Sequence, residues 1–194
     1  MDLDAPAIAG LQTRLTLRWH AHPPAAGGEG LAGLVEQNHL RNFLLWHEED
    51  LARRDDLGFE AVYRSKRAID RFNQERNNFI EALDQAVAAA LQPAVAGCPL
   101  NSETPGMIMD RLSILALKEY HMREESNRAD ATAAHRENCA AKLARILRQR
   151  EDLTRCLGEF LADVAAHRRT FSVFLQFKMY NDPALNPQLY RPRA

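Results

Sequence analysis

Three stretches of this chain set charged and amide side chains into apolar helical stripes. In the first, Trp46-His47-Glu48-Glu49-Asp50-Leu51-Ala52-Arg53, the residues Trp46, Glu49 and Arg53 recur at three- and four-residue steps and share one helix face. In the second, Lys66, Asp70, Asn73 and Asn77 do the same. In the third, Asp110, Arg111, Lys118 and His121 fall on or beside the face that Met107, Ile108, Leu112, Leu115 and Leu117 need buried. A charge on an apolar face is either paired inside a core or aimed into a cleft. Each stretch offers one carboxylate, and Glu49, Asp70 and Asp110 are the candidate catalytic groups. Converging carboxylates hold a divalent metal such as Mg²⁺ through oxygen, and neighbouring Lys or Arg neutralises phosphate. Helices packed by their stripes would force these polar positions together. The expectation is therefore one pocket lined by Glu49, Asp70, Asp110, Arg111 and Lys118, capped by the tail around Tyr180–Asp182.

The competing reading is a buried polar network that only fixes helix register. Glu49–Arg53 is an ordinary i,i+4 pair, and Lys66–Asp70 has the same spacing. His47 taken alone reads as a satisfied core or rim histidine. All-α nucleotide pyrophosphohydrolases use converging carboxylates in the same general way, but their glutamate-pair spacing is absent here. Arg41-Asn42, four residues, then His47 matches the loose Arg-polar-His pattern of helical HEPN ribonucleases. So short a pattern arises easily by chance, and that activity is the minor alternative.

The elements that must position these groups are all helices. Asp4-Ala5-Pro6 caps a first helix whose face is Ile8, Leu11, Leu15 and Trp19, ended by His20-Ala21-His22-Pro23-Pro24. Residues 22–30 are expected to be a flexible connector. Leu31 to about Arg54 forms a second helix, with Asn38, Asn42 and Glu49 unusual on its apolar seam. Phe59 to about Leu91 forms a third, stopped by Pro93. Thr104-Pro105 is an N-cap and first helical residue, opening a fourth helix that breaks near Ser126-Asn127. Asp130 is placed to cap a fifth, which would reach roughly 60 Å if unbroken to Thr170. Its arginines at 136, 145, 148 and 150 are expected mostly to face solvent. Phe171–Tyr180 alternates like a strand, but with no second strand to pair with it is read as helix. Residues 181–194 form a docked tail. The fold class is all-α: one helical domain over residues 1–194, a bundle of about five long antiparallel helices with an irregular C-terminal tail.

With 194 residues and a formal net charge of -1, the chain lacks the basic balance of a nucleic-acid binder. No apolar run approaches the ~20 residues of a membrane span. Cys98, Cys139 and Cys156 have neither zinc-type spacing nor close pairing, as expected of reduced structural thiols. The start MDLDAPAIAG carries acids where a signal peptide needs basic residues, so the expected location is cytoplasmic.

Four motifs in one order, LLWHEEDLARR (44–54), KRAIDRFNQERNNFIEALD (66–84), LNSETPGMIMDRLSILALKEYH (100–121) and FKMYNDPALNP (177–187), carry a resemblance. The chain resembles the bacterial family called domain of unknown function 4254, from Leu44 to Pro187. The motif positions are Trp46, His47, Glu49, Asp50 and Arg53; Asp70, Asn73 and Asn77; Glu103, Asp110, Arg111 and Lys118; and Lys178, Tyr180, Asn181 and Asp182. The resemblance implies no mechanism. It implies association with glycosyltransferases of lipopolysaccharide or other envelope-glycan assembly, near which members are often encoded. Two functions follow as expectations: an enzyme or binder of a phosphorylated or nucleotide-sugar ligand, or a non-catalytic scaffold of a glycosyltransferase. The amphipathic fifth helix also allows a homodimer.

Overall fold

Thr104 accepts the Met107 N–H on its side chain, and Pro105 fills the first helical position behind it. This start opens the central helix of the bundle. The computed structural model describes residues 4–190; residues 191–194, the end of the expected tail, lie outside the described residues. Five long helices carry the fold: α1 (Ala5–Ala21), α2 (Gly30–Leu51), α3 (Phe59–Leu91), α4 (Pro105–Asn127) and α5 (Ala133–Ala165). A short α6 (Pro187–Tyr190) and two 3-10 turns, Asp55–Leu57 and Met179–Asn181, complete the helical elements. α4 packs chiefly on α5 and also touches α1, α2 and α3, while α2 packs chiefly on α3. Among the described residues the architecture is an all-α bundle, and no helix is long and apolar enough to cross a membrane.

Local chemistry explains most boundaries. Asp4 accepts the Ala7 N–H and caps α1, with Pro6 in its first turn. Gly58 adopts φ 83, a conformation that glycine tolerates best, and turns the chain into α3. The connector before α2 is tied down along its length: Arg18 and Trp19 donate to the Ala25 carbonyl, and Gly27 and Gly28 donate to Glu36.

The apolar core falls into two clusters. One is built on Ile8, Val35, Leu83, Met109, Leu112, Leu157 and Val164; the other on Leu15, Trp19, Phe43 and Leu117. In α1, α2 and α4 alike, buried polar residues lie in sequence between members of the two clusters: Gln12 in α1, Asn38, His39 and Asn42 in α2, Asp110 and Ser113 in α4.

Several expectations are corrected. α2 ends at Leu51, not Arg54. The fifth helix is capped by Thr132, whose side chain accepts the His135 N–H; Asp130 instead pairs with Arg128. It stops at Ala165, because His167 takes φ 53, which an α-helix cannot continue. Residues 171–178 are not helical. Thr170 forms a single parallel bridge with Leu100, donating to the Pro99 carbonyl and accepting from the Asn101 N–H. The alternation at 171–178 marks neither a helix nor a strand: Phe171 is buried, while Phe177 is exposed and takes φ 38. The bridge at Thr170 ties the start of this segment to the loop between α3 and α4. Arg150, finally, is no surface residue: it donates to Glu119, to the Ala9 carbonyl and to Thr13, joining α5 to α4 and α1.

Candidate functional site

The buried polar residues form one hydrogen-bonded chain, and its protons can be assigned from chemistry alone. Thr16 donates its hydroxyl to the Gln12 carbonyl at 2.9 Å. Its oxygen must therefore accept from His39 Nε2–H, at 2.9 Å. His39 Nδ1 is then an acceptor for the Ser113 hydroxyl at 2.7 Å. Ser113 Oγ in turn accepts from Asn42 Nδ2 at 3.0 Å. Asn42 Nδ2 also donates to Asp110 Oδ1 at 2.8 Å, where Asn38 Nδ2 donates at 2.9 Å. This assignment needs a neutral imidazole. Burial, then the charge of Arg150, lowers the His39 pKa from the ordinary 6.5 to about 3.

Above Asn42 the chain opens into a cleft of about 330 Å³ between α2, α3 and α4. Trp46, Glu49 and Asp50 line it from α2 and Arg53 from just past its end, Asn73 and Arg76 from α3, and Ile114 and Leu117 from α4. Asn42 and Arg76 connect it to the buried aspartate: Arg76 NH1 donates to Asn42 Oδ1 at 3.5 Å, and Arg76 Nε lies 4.0 Å from Asp110 Oδ1. Arg76 Nε is buried and has no hydrogen-bond partner.

The expected single pocket is divided among separate places. Glu49 is in the cleft, paired with Arg53 at 2.7 Å. Asp110 is 7% exposed and belongs to the polar chain beneath. Asp70 pairs with Arg67 at 3.2 Å and Lys66 at 3.9 Å, and faces a broader groove of about 870 Å³ with Lys178, Tyr180 and Asn181. Arg111 and Lys118 line a groove against α5, with Arg111 paired to Glu103. Helical geometry allows the split: adjacent residues differ by about 100° in direction, and here Asp110 turns toward α2 while Arg111 turns toward α5. Asn73 lines both the cleft and the tail groove, and Lys178 Nζ donates to its carbonyl at 3.4 Å. Burial, then the nearby Arg76 charge, lowers the Lys178 pKa. The tail thus reaches the cleft's edge through Lys178, and Asn181 donates to Gln74 at 2.8 Å. Asp182 accepts the Ala184 N–H within the tail, and Asn77 is buried on α3. Arg41 donates to Glu75 and Gln37, an environment apart from that of His47.

His47 and His121 meet elsewhere, with a third imidazole that the sequence reading passed over. His20, read only as part of the end of α1, brings its ring within 5.0 Å of His121 and 5.3 Å of His47, centroid to centroid. Tyr120 stacks on His20 at 3.8 Å, and Trp46 stacks on His121 at 4.8 Å. Burial, then the neighbouring His20, lowers the pKa of both His47 and His121, against the opposing pull of nearby carboxylates. His39, Ser113 and Arg76 were also outside the expected site. The one available signal was their position on stripes that otherwise bury apolar side chains.

Fold and site together define an all-α bundle with a polar chain between two apolar clusters and a charged cleft above it. The family model described as "Protein of unknown function (DUF4254)" matches residues 32–173, and the chain belongs to that family. Comparison with curated proteins and with solved structures gives no match.

Proposed function

We propose that this chain binds a small phosphorylated ligand of the nucleotide-sugar kind in the cleft between α2, α3 and α4. One observation carries the reading: Arg76 lines the cleft with a buried Nε–H that has no acceptor. Its nearest carboxylate oxygen, on Asp110 at 4.0 Å, is beyond hydrogen-bond length and already takes two amide donors. A phosphate oxygen would satisfy that donor in a charge-assisted bond. Arg53 supplies a second cation, Trp46 an aromatic wall for a base, and Glu49 and Asp50 acceptors for sugar hydroxyls or a hydrated Mg²⁺. The envelope-glycan setting comes from the family's association alone, and the cytoplasmic location from the acidic start of the chain. That setting fits this ligand class, whether the protein turns the ligand over or only holds it.

A thermal-shift panel of nucleoside diphosphate sugars, with and without Mg²⁺, tests the reading. A ligand present at ~100 Kd stabilises by about 2.7 kcal/mol. Arg76→Gln should abolish the response, and Lys118→Ala, on the α5 side, should keep it. A flat response from the wild type across the panel sinks the proposal.

A second reading, a non-catalytic partner of a glycosyltransferase, draws on the tail. Phe177 is 77% exposed, and Tyr180, Met179 and Leu189 are more than half exposed. Singly such residues are ordinary, but together they mark a surface able to meet a partner or a second copy. Loss of glycosyltransferase co-purification on Phe177→Ser with Leu189→Ser, with the cleft response unchanged, would favour it.

A further inference from the structure

His20, His47 and His121 come from α1, α2 and α4, and none belongs to the cleft. One ring nitrogen of each lies within 4.8 Å of the other two. The His47 and His121 centroids are 5.8 Å apart, and the three rings cross at 65°, 73° and 77°. Three imidazoles bound to one tetrahedral ion at ~2.0–2.1 Å would have centroids ~5 Å apart. Helix packing already holds the rings near that spacing.

The proton positions favour the same conclusion. His20 Nδ1 faces the Thr16 carbonyl at 2.7 Å, and a carbonyl only accepts. Its proton is therefore on Nδ1, and Nε2 carries the lone pair. His121 Nδ1 faces the Glu124 carboxylate at 3.1 Å, which fixes its proton in the same way. Both Nε2 atoms are buried with no hydrogen-bond partner. Buried unsatisfied acceptors are costly and uncommon, and two in one cluster need an explanation. A carbonyl or carboxylate behind the far nitrogen is the usual support of a metal-ligating histidine.

We propose that His20 Nε2, His121 Nε2 and one ring nitrogen of His47 bind a divalent first-row ion such as zinc, cobalt or nickel. Three imidazoles suit these ions, whereas Mg²⁺ and Ca²⁺ take oxygen. Three imidazoles leave a tetrahedral ion a fourth coordination position for water or ligand. Trp46 stacks on His121 and also lines the cleft, so a single indole joins the two sites. A second cluster, Glu125, His135 and Cys139, has comparable spacing. There His135 Nε2 is already engaged by Glu125 at 2.8 Å and Cys139 at 3.4 Å, which makes it the natural comparison.

The test uses the tag-free full chain, stripped with a chelator and titrated with Co²⁺ and Zn²⁺ without any phosphorylated ligand. The expected result is one ion per chain and the intense visible bands of tetrahedral cobalt. X-ray absorption of the zinc form should show about three imidazole nitrogens and no sulfur. His47→Ala should weaken binding by more than the ~10–100-fold that loss of an outer partner costs. His135→Ala should leave it unchanged. Absence of stoichiometric binding, a sulfur ligand, or binding lost with His135→Ala and kept with His47→Ala would each overturn the proposal. The wild-type absorption spectrum reads the ligands directly, so a variant that fails to fold does not leave the question open. The cleft's ligand plays no part in the assay, so the two proposals fail independently.

Discussion

The backbone N–H of Gly106, in the first turn of α4, donates to the Asp84 carboxylate of α3 at 2.6 Å. The contact seats the positive end of one helix dipole on a buried acid of the neighbouring helix. It also leaves no room for a side chain. A Cβ at position 106 would meet the Ile80 carbonyl oxygen at 2.6 Å and Asp84 Oδ1 at 2.7 Å.

Gly106→Ala is therefore expected to destabilise the protein, although alanine is the better helix former. The backbone of α3 must shift, and overpacking of this kind costs about 1–3 kcal/mol. Gly27→Ala, where a Cβ meets nothing within 4 Å, should be close to neutral. Urea midpoints of the two variants check the contrast.

Asp84 sets one part of the pH dependence. Burial raises its pKa from the ordinary 3.8 to about 6, despite the bonds from Thr104 and Gly106. The folded state then holds the proton more tightly than the unfolded state. The stability contribution is complete below pH 3.8 and is lost as pH rises through 6, a change of about 3 kcal/mol. Asp84→Asn should flatten stability between pH 4 and pH 6 and leave the variant no less stable at pH 7.5, as read by denaturant melts across pH.

His39 works with the opposite sign. Its folded pKa of about 3 lies below the ordinary 6.5, so the unfolded state takes up the proton first. Stability is complete above pH 6.5 and falls toward acid, by about 2 kcal/mol at pH 5. His39→Gln keeps a donor for Thr16 and an acceptor for Ser113 at poorer geometry. It should cost about 1–2 kcal/mol at pH 7.5 and remove the acid slope between pH 5 and pH 6.5.

Arg150→Ala should be among the more damaging single changes on α5. It leaves Glu119 half-paired in a setting where both side chains are about seven-eighths covered, and it unties α1. Breaking such a pair costs about 3 kcal/mol. Arg150→Lys, which keeps the charge but not the planar fork, should fall between wild type and alanine. Thermal melts of the two variants separate charge from geometry.

The sequence by itself determined the helices. Capping side chains, prolines and apolar periodicity act within a few residues of themselves, so Asp4, Thr104-Pro105 and the span Phe59–Leu91 were legible without any partner. The family was legible too, because its motifs are contiguous strings. Periodicity also marked which stripes carry polar groups: Asn38, Asn42 and Asp110 do line the helix junctions.

Only the tertiary structure decided which of those groups meet. A stripe half a turn wide does not say whether Asp110 or its neighbour Arg111 faces α2; packing turned Asp110 inward and Arg111 toward Glu103. His20 lies 27 residues before His47 and 101 before His121, and nothing local to it points to either. Their meeting depends on how α1, α2 and α4 rotate about their axes to bury Leu15, Trp19, Phe43 and Leu117. The tail was misread for the same reason. Thr170, at the start of the non-helical segment 171–178, finds its hydrogen bonds on a loop some 70 residues earlier, a partner that no local pattern encodes.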